Sequence, residues 1–300
     1  MTTYHTPVLL KESIDGLSIK PEGIYIDATF GGGGHSEEII WKLKTGKLIA
    51  FDCDNDAIKN LPDSKNFIFA HHNFRYIEFF LRYWKIEKID GILADLGVSS
   101  HHFDTRERGF SYRFESAIDM RMNQNQKFKA ETIVNEYSEE KLATILKNYG
   151  EVEKPKQLAK IIVEQRTQNH IKTTGDLVNI VMQIIPERFK NRELSKIFQA
   201  LRIEVNNEID SLKELLLQSV RILKPTGRLA VITYHSLEDR LVKNFINTGN
   251  FERNLEKDFY GNPITPFEPV NRKVIIPSKN EQNNNPRSRS AKLRIAELKN

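Results

Sequence analysis

Ile24-Tyr25-Ile26-Asp27-Ala28-Thr29-Phe30-Gly31-Gly32-Gly33-Gly34-His35-Ser36-Glu37-Glu38 is the stretch whose reading decides the fold. Ile24, Ile26 and Ala28 alternate as a buried strand does, and four glycines follow at once. A helix is then expected from Ser36, a good N-cap, with Glu37 and Glu38 suited to the positive end of its dipole. Glycines between a strand and a helix let backbone approach a ligand closely and point amide N–H groups at it. A flexible surface loop would not sit tightly between an apolar strand and a capped helix.

The ligand is constrained by Asp27. A dinucleotide turn wants G-x-G-x-x-G; Gly31 and Gly33 fit, but the third glycine position is Ser36. An acid at the strand end followed by G-x-G fits better, and resembles the first motif of S-adenosylmethionine (AdoMet) methyltransferases. In those enzymes the acid helps to hold the methionine ammonium. Asp27 would repel the two negative charges of a pyrophosphate and attract a sulfonium and an ammonium.

Outward from this turn, strand and helix alternate. Residues 39–43 continue the helix, 47–51 form a second strand ending at Asp52, and 57–61 a short helix stopped by Pro62. A third strand covers 66–70, an aromatic-rich helix 76–85, and a fourth strand 89–94 ends at Asp95. Such alternation predicts a parallel sheet with helices on both faces. The pattern breaks near Arg106: residues 106–130 are irregular and polar, and helical segments follow at 138–149, 156–168, 175–185 and 192–207. Alternation resumes with a helix over 209–223, the turn Lys224-Pro225-Thr226-Gly227, a strand over 228–234 and a helix to Asn247. Residues 274–276 and 291–297 are expected to close the sheet as an antiparallel hairpin, and the lead-in Val8-Leu9-Leu10 to pack on the domain. The expected domains are therefore 1–105 and 208–300, forming the AdoMet-binding part, and 106–207, a helical substrate-recognition insert.

No apolar run approaches the length of a membrane span, and the N-terminus lacks a signal peptide's basic-then-apolar pattern, so a cytoplasmic protein is expected. The single cysteine, Cys53, excludes an internal disulfide, and no Cys/His cluster has metal-site spacing. The net charge of +5 is uneven: residues 272–300 hold eight Lys/Arg against two Glu, which leaves the remainder slightly acidic. A phosphate-rich partner at this segment, or simply a solvated tail, accounts for it.

Ligands of open α/β sheets lie beyond the carboxyl ends of the strands. Asp52 can accept hydrogen bonds from ribose hydroxyls there or cap a helix, although Asp54 suits the cap better. Phe74 can lie against adenine or in the core, and His35 can meet the ligand or serve as a cap. Asp95-Leu96-Gly97-Val98-Ser99-Ser100 stands where methyltransferases place the methyl acceptor. Tyr234-His235-Ser236-Leu237-Glu238-Asp239-Arg240 ends the next strand; Ser236 with Asp239 reads as a capping box, which leaves Tyr234 and His235 free for a pocket.

With these stretches on the page, the chain resembles the RsmH (MraW) family of bacterial small-subunit rRNA cytosine-N4 methyltransferases along nearly its whole length. The resemblance is carried by His5-Thr6-Pro7-Val8-Leu9-Leu10, the stretch 29–36, Asp95 to Ser100, Arg108-Gly109-Phe110-Ser111, Phe198-Gln199-Ala200-Leu201-Arg202-Ile203, the stretch 235–240 and Asn285-Pro286-Arg287-Ser288-Arg289-Ser290-Ala291-Lys292-Leu293-Arg294. It implies a Rossmann-like class I AdoMet sheet with an inserted all-helical domain. The implied activity is methylation of the exocyclic N4 amine of one cytidine in the decoding region of 16S rRNA, in the context of the assembled 30S subunit, by a monomer or homodimer without a metal. By motif, AdoMet contacts fall on Gly33, Gly34, His35, Asp52, Phe74, Asp95 and His102, with Asp27 beside them. Position 102 is often Gln in the family, Arg is common where Cys53 stands, and Gly where Thr226 stands.

A cytosine amine is a poor nucleophile because its lone pair is delocalised into the ring. Asp95, or a carbonyl beside it, is the expected acceptor for an N4–H, with Tyr234 and His235 as further catalytic candidates. Val98 stands where many amino-methyltransferases carry a stacking aromatic, so the ring must come from Phe103, Phe110, Tyr112 or Tyr234. Arg108 and Arg113 in the insert, with Arg287, Arg289, Lys292 and Arg294, are expected to grip RNA phosphate. Two rivals are a nucleotide-dependent oxidoreductase, which Asp27 disfavours, and a non-catalytic RNA-binding protein, which leaves the ligand turn unexplained.

Overall fold

The computed structural model describes residues 7–271 and 273–300; the His5-Thr6 pair of the opening motif lies outside them. The chain divides into two compact units, one built from Met1–Gly97 with Ile209–Asn300, the other from Val98–Glu208.

The first unit is a seven-stranded sheet. Its strands are β1 (Ile24–Asp27), β2 (Lys47–Phe51), β3 (Phe67–Ala70), β4 (Ile89–Asp95), β5 (Leu223–Thr233), β6 (Phe267–Pro269) and β7 (Lys292–Leu298), in the order β3-β2-β1-β4-β5-β7-β6. The first five are parallel neighbours, and β7 runs antiparallel between β5 and β6. The strand order reverses at β1, so the strand ends there open a crevice. This is the Rossmann-like class I arrangement.

Successive strand residues point to opposite faces, and the two cores divide accordingly. Ile26, Ile49, Ile92 and Val231 face one cluster, while Tyr25, Leu48, Leu93 and Ala230 face the other. Leu81 of α3 (Ile77–Tyr83), Leu212 and Leu216 of α10 (Glu208–Ile222) and Phe245 of α11 (Ser236–Thr248) cover the first face. The second is covered by Ile14 and Leu17 of α1 (Leu10–Leu17) and Ile39 of α2 (Gly34–Lys42), with Val8 and Leu9 buried beside them. Burying each such side chain stabilises by about 1.5–3 kcal/mol.

The Val98–Glu208 unit is helical: α4 (Ser100–Asp104), α5 (Ala130–Glu136), α6 (Glu139–Asn148), α7 (Pro155–Gln168), α8 (Thr174–Met182) and α9 (Lys190–Asn206) pack around Ile133, Leu142, Leu158, Leu177, Ile197 and Leu201. The irregular stretch before α5 is stitched by two arginines. Arg121 holds both oxygens of Asp119 and donates to the carbonyls of Gln124 and Gln126, while Arg108 donates to the carbonyls of Arg121 and Met122 at 2.8 and 3.1 Å.

Several sequence expectations shift. The helix of the glycine turn starts at Gly34 with Gly33 as its N-cap, not at Ser36, because the Ser36 hydroxyl is turned inward to Asp27. The segment after Asp54 is a 3-10 turn, Asn55–Asn60, and Asp54 is its cap. Residues 274–276 form no strand; only an antiparallel bridge between Ile275 and Leu293 remains, and β6 takes the pairing instead. The turn at 224–227 lies within β5 as an irregularity in its register with β4, and Thr226 there has φ 65°. The last α-helix, α12 (Lys279–Asn284), precedes a 3-10 turn, Pro286–Ser290, that leads into β7.

Candidate active site

The polar strand ends converge on the glycine turn. Asp27, at the end of β1, is 2% exposed; it accepts the Ser36 hydroxyl at 2.7 Å and the Thr29 amide at 3.1 Å. Burial pushes its carboxyl up to about 6 against those hydrogen bonds. Asp52, at the end of β2, anchors the turn: one oxygen accepts the Gly31 amide at 2.7 Å, the other the Asp54 amide at 2.8 Å. Asn60 holds the Gly31 carbonyl from the other side at 3.1 Å.

Gly33 and Gly34 have separate reasons to be glycine. Gly33 sits at φ 82°, in the left-handed region. Gly34 has ordinary backbone, but a Cβ there would lie 2.2 Å from a Pro7 ring carbon.

His35 follows on the first turn of α2, buried, with Nε2 3.1 Å from the Val8 carbonyl. A carbonyl only accepts, so Nε2 carries the proton and Nδ1 presents its lone pair 4.0 Å from Asp95. Burial lowers the ring's pKa to about 4, so the imidazole is neutral.

Asp95 ends β4. Its amide donates to Thr29 Oγ1 at 2.7 Å and its carboxylate accepts the Tyr234 phenol at 2.9 Å. Burial pushes the carboxyl up to about 7; the phenol opposes the rise, and the charges of Asp27 and Glu238 add to it. The side chain is still 23% exposed, so one edge faces outward. Tyr234, raised well above the usual phenol range by burial and by Asp95, donates its own amide to Glu238 at 3.1 Å.

The expected Ser236 cap is corrected. His235 is the N-cap of α11, its Nδ1 accepting the Glu238 amide at 3.4 Å and its Nε2 lying 3.1 Å from the Glu238 carboxylate. Glu238 thus touches both Tyr234 and His235, and Thr29 and Ser36 fix Asp95 and Asp27. Sequence reasoning gave Thr29 and Glu238 no role and read Ser36 only as a cap; the only signal for Glu238 was an acid four residues beyond Tyr234.

A model of the MraW methylase family matches residues 2–299. The chain belongs to this family. It is 55% identical over 298 residues to the ribosomal RNA small subunit methyltransferase H of Bacteroides thetaiotaomicron, covering 99% of this chain and 98% of the relative. It is 55% identical over 299 residues to the protein of the same name from Bacteroides fragilis, with 99% and 98% covered. An rRNA methylase structure from Streptococcus thermophilus aligns over 99% of both chains at 12% identity and TM-score 0.46.

The remaining residues expected from the family's motifs are placed as follows. Phe74 is half-buried at the start of a 3-10 turn, Phe74–Tyr76, capped by Asn73, and packs against the sheet core. His102 lies in the helical unit, where its Nδ1 is 2.9 Å from Ser99 Oγ and closes a capping box. Of the candidate stacking rings, Phe110 is buried in the core of the helical unit and Phe103 packs on it, while the Tyr112 hydroxyl is 3.2 Å from Ser195 Oγ.

The basic residues separate into two kinds. Arg108 is buried, and its guanidinium donates to loop carbonyls of its own unit. Lys292 and Arg294 both hold Asp239 of α11, at 3.1 and 2.8 Å, and β7 is an interior strand rather than an exposed edge. Arg113, Arg287 and Arg289 are exposed. The segment carrying Arg287 and Arg289 is fastened at Glu281 of α12, which accepts the Leu9 amide at 2.8 Å, next to the Val8 carbonyl that meets His35.

The site fits a cationic cofactor. Asp27 is a buried acid and Asp95 a partly buried one, both raised by burial, beside a neutral His35, and neither has a Lys or Arg ion pair among the described residues. A ligand ammonium or sulfonium would supply the missing charge.

Proposed function

We propose that this chain uses AdoMet to methylate the exocyclic N4 amine of a cytidine in the decoding region of small-subunit rRNA, acting on the assembled 30S subunit. The observation that carries the reading is the Asp95 carboxylate, held at the end of β4 by the Tyr234 phenol beside a glycine turn lined with acids. Bound AdoMet supplies an electrophilic methyl group on its sulfonium. Gly33, Gly34 and the α2 N-terminus take the amino-acid end of that molecule, with Asp27 countering its ammonium, and Asp52 accepts from the ribose. Phe74 lies at the adenine.

Asp95 accepts a hydrogen bond from one N4–H of the target base and so draws electron density back onto nitrogen. Positive charge developing on the amine is stabilised there, in a site where the acceptor is already oriented. A carboxyl with a pKa near neutrality is matched to taking the proton that the methylated nitrogen sheds. Tyr234 orients Asp95, Glu238 orients Tyr234, and His35 contributes no competing charge. The base must leave its stack to reach this depth. Arg287 and Arg289 hold backbone phosphate, together with Arg113 of the helical unit.

The test is transfer of labelled methyl from AdoMet to 30S subunits lacking the modification, followed by nuclease mapping and nucleoside mass analysis. N4-methylcytidine at one decoding-region position is expected. Label at carbon 5, or on a base other than cytosine, would overturn the reading.

A further inference from the structure

Helix α3 is apolar on two sides. Ile77 and Leu81 are buried against the sheet, as a covering helix requires. Phe79 and Tyr83, four residues apart and therefore on one outer stripe, are 65 and 74% exposed, and Tyr76, in the 3-10 turn just before the helix, is 49% exposed. These rings are braced from beneath: Phe79 meets Phe80 edge-on at 5.4 Å, Phe80 meets Trp84 at 5.2 Å, and Tyr83 meets Trp84 at 6.5 Å.

A groove runs beside the stripe, lined by Arg82, Lys85 and Arg221 with Glu78 and Glu87. Glu78 is shared by two guanidiniums, Arg82 and Arg221, each at 2.7 Å, and the hydrogen bond from Arg221 holds its carboxyl below the usual range. Lys85 has no ion pair among the described residues. With Arg75 and Lys88 included, this face has an excess of three positive charges.

We propose that the α3 face binds single-stranded RNA, with bases laid on Phe79 and Tyr83 and phosphates over Arg82, Lys85 and Arg221. Exposed rings interleaved with cations are the arrangement that holds unpaired nucleotides without sequence preference. A second copy of this chain would bring the same positive excess against itself, so self-association through this face is disfavoured. In naming RNA as the partner the inference rests on the rRNA-directed reading above, but it concerns a surface outside the methyl-transfer site.

The test uses the full chain and a fluorescein-labelled uridine dodecamer, titrated by anisotropy without AdoMet. Phe79→Ala with Tyr83→Ala should weaken binding roughly 10- to 100-fold. Phe79→Trp should hold or improve affinity, whereas Phe79→Leu, equally apolar but without a π face, should lose it. Arg82→Gln with Lys85→Gln should flatten the slope of log affinity against log salt by about one unit. Unchanged dodecamer affinity in the double alanine variant would overturn the proposal. So would sedimentation showing a wild-type dimer that this variant dissociates, since the face would then be a self-association surface. Cofactor binding is read separately by AdoMet calorimetry, in which all these variants should match wild type; a wild type that fails to bind AdoMet would sink the catalytic reading while the dodecamer result still decides this one.

Discussion

The Tyr234 hydroxyl donates to Asp95 at 2.9 Å across two neighbouring strand ends, and Asp95 is the acid whose pKa is pushed up to about 7. The phenol favours the ionised carboxylate, so its removal must raise that pKa further. Tyr234→Phe should move the acidic limb of the kcat/KM profile to higher pH and lower activity most below neutrality, by about 10-fold or more. A limb that stays in place while activity falls equally at all pH values would give Tyr234 a role in base contact alone.

Asp27 and Asp95 also set a stability signature. Their folded pKa values, about 6 and about 7, lie above the unfolded value. Their contribution is therefore fully present below the unfolded pKa near 4 and is lost as pH rises through 6 and 7. The ligand-free protein should lose thermal stability over that window, and Asp95→Asn should stabilise it at pH 8 by on the order of 2 kcal/mol. AdoMet, bringing positive charge, should raise the wild-type Tm more at pH 8 than at pH 5. Differential scanning fluorimetry across pH checks both.

Asp52 has two tasks, holding the Gly31 amide and facing the ribose. Asp52→Ala should weaken AdoMet binding by about 1.5–3 kcal/mol in titration calorimetry. Asp52→Asn, which keeps one acceptor oxygen, should lose less. Equal losses would mean that charge, not turn geometry, dominates.

Lys292 and Arg294 are tied to Asp239, whereas Arg289 is exposed. Arg287→Gln with Arg289→Gln should flatten the salt slope of RNA binding by about one to two units with the fold intact. Asp239→Asn should instead destabilise by about 1–3 kcal/mol. Although burial works upward on Asp239, the hydrogen bonds from Arg294 and Lys292 outweigh it and hold the carboxyl below its usual range. Its stabilisation is therefore present above the unfolded pKa and lost as pH falls through the folded one. Denaturant melts at pH 3 and pH 7 separate the two arms.

Thr226 is a β-branched residue at φ 65°, in the left-handed region. Thr226→Gly should raise stability by roughly 1 kcal/mol without changing activity. A lower Tm would show that the threonine side chain compensates for its backbone.

The sheet was legible because its strands are short apolar runs bounded by Asp or Gly, and because Asp27, Asp52 and Asp95 mark three strand ends. The features that were not legible depend on partners distant in sequence. Ser36 reads as a cap until Asp27 is seen to accept its hydroxyl. His235 displaces Ser236 as the cap because Glu238 engages both its ring and the Tyr234 amide. Nothing near Lys292 announces that Asp239, 53 residues earlier, takes its charge. The apolar lead-in stops at Leu10, where helix α1 only begins, and the three-residue β6 has no periodicity to detect.

The position of β7 has a consequence for synthesis. It is the last strand in chain order, yet it lies inside the sheet, pairing with β5 on one side and β6 on the other. Until it has been translated and has emerged, β5 lacks its antiparallel partner and β6 has nothing to pair with, so a nascent or stalled chain carries an open row of backbone donors and acceptors. Completion of the fold thus waits on β7, and losing only these few residues should send the chain toward aggregation or proteolysis rather than toward a weakened enzyme.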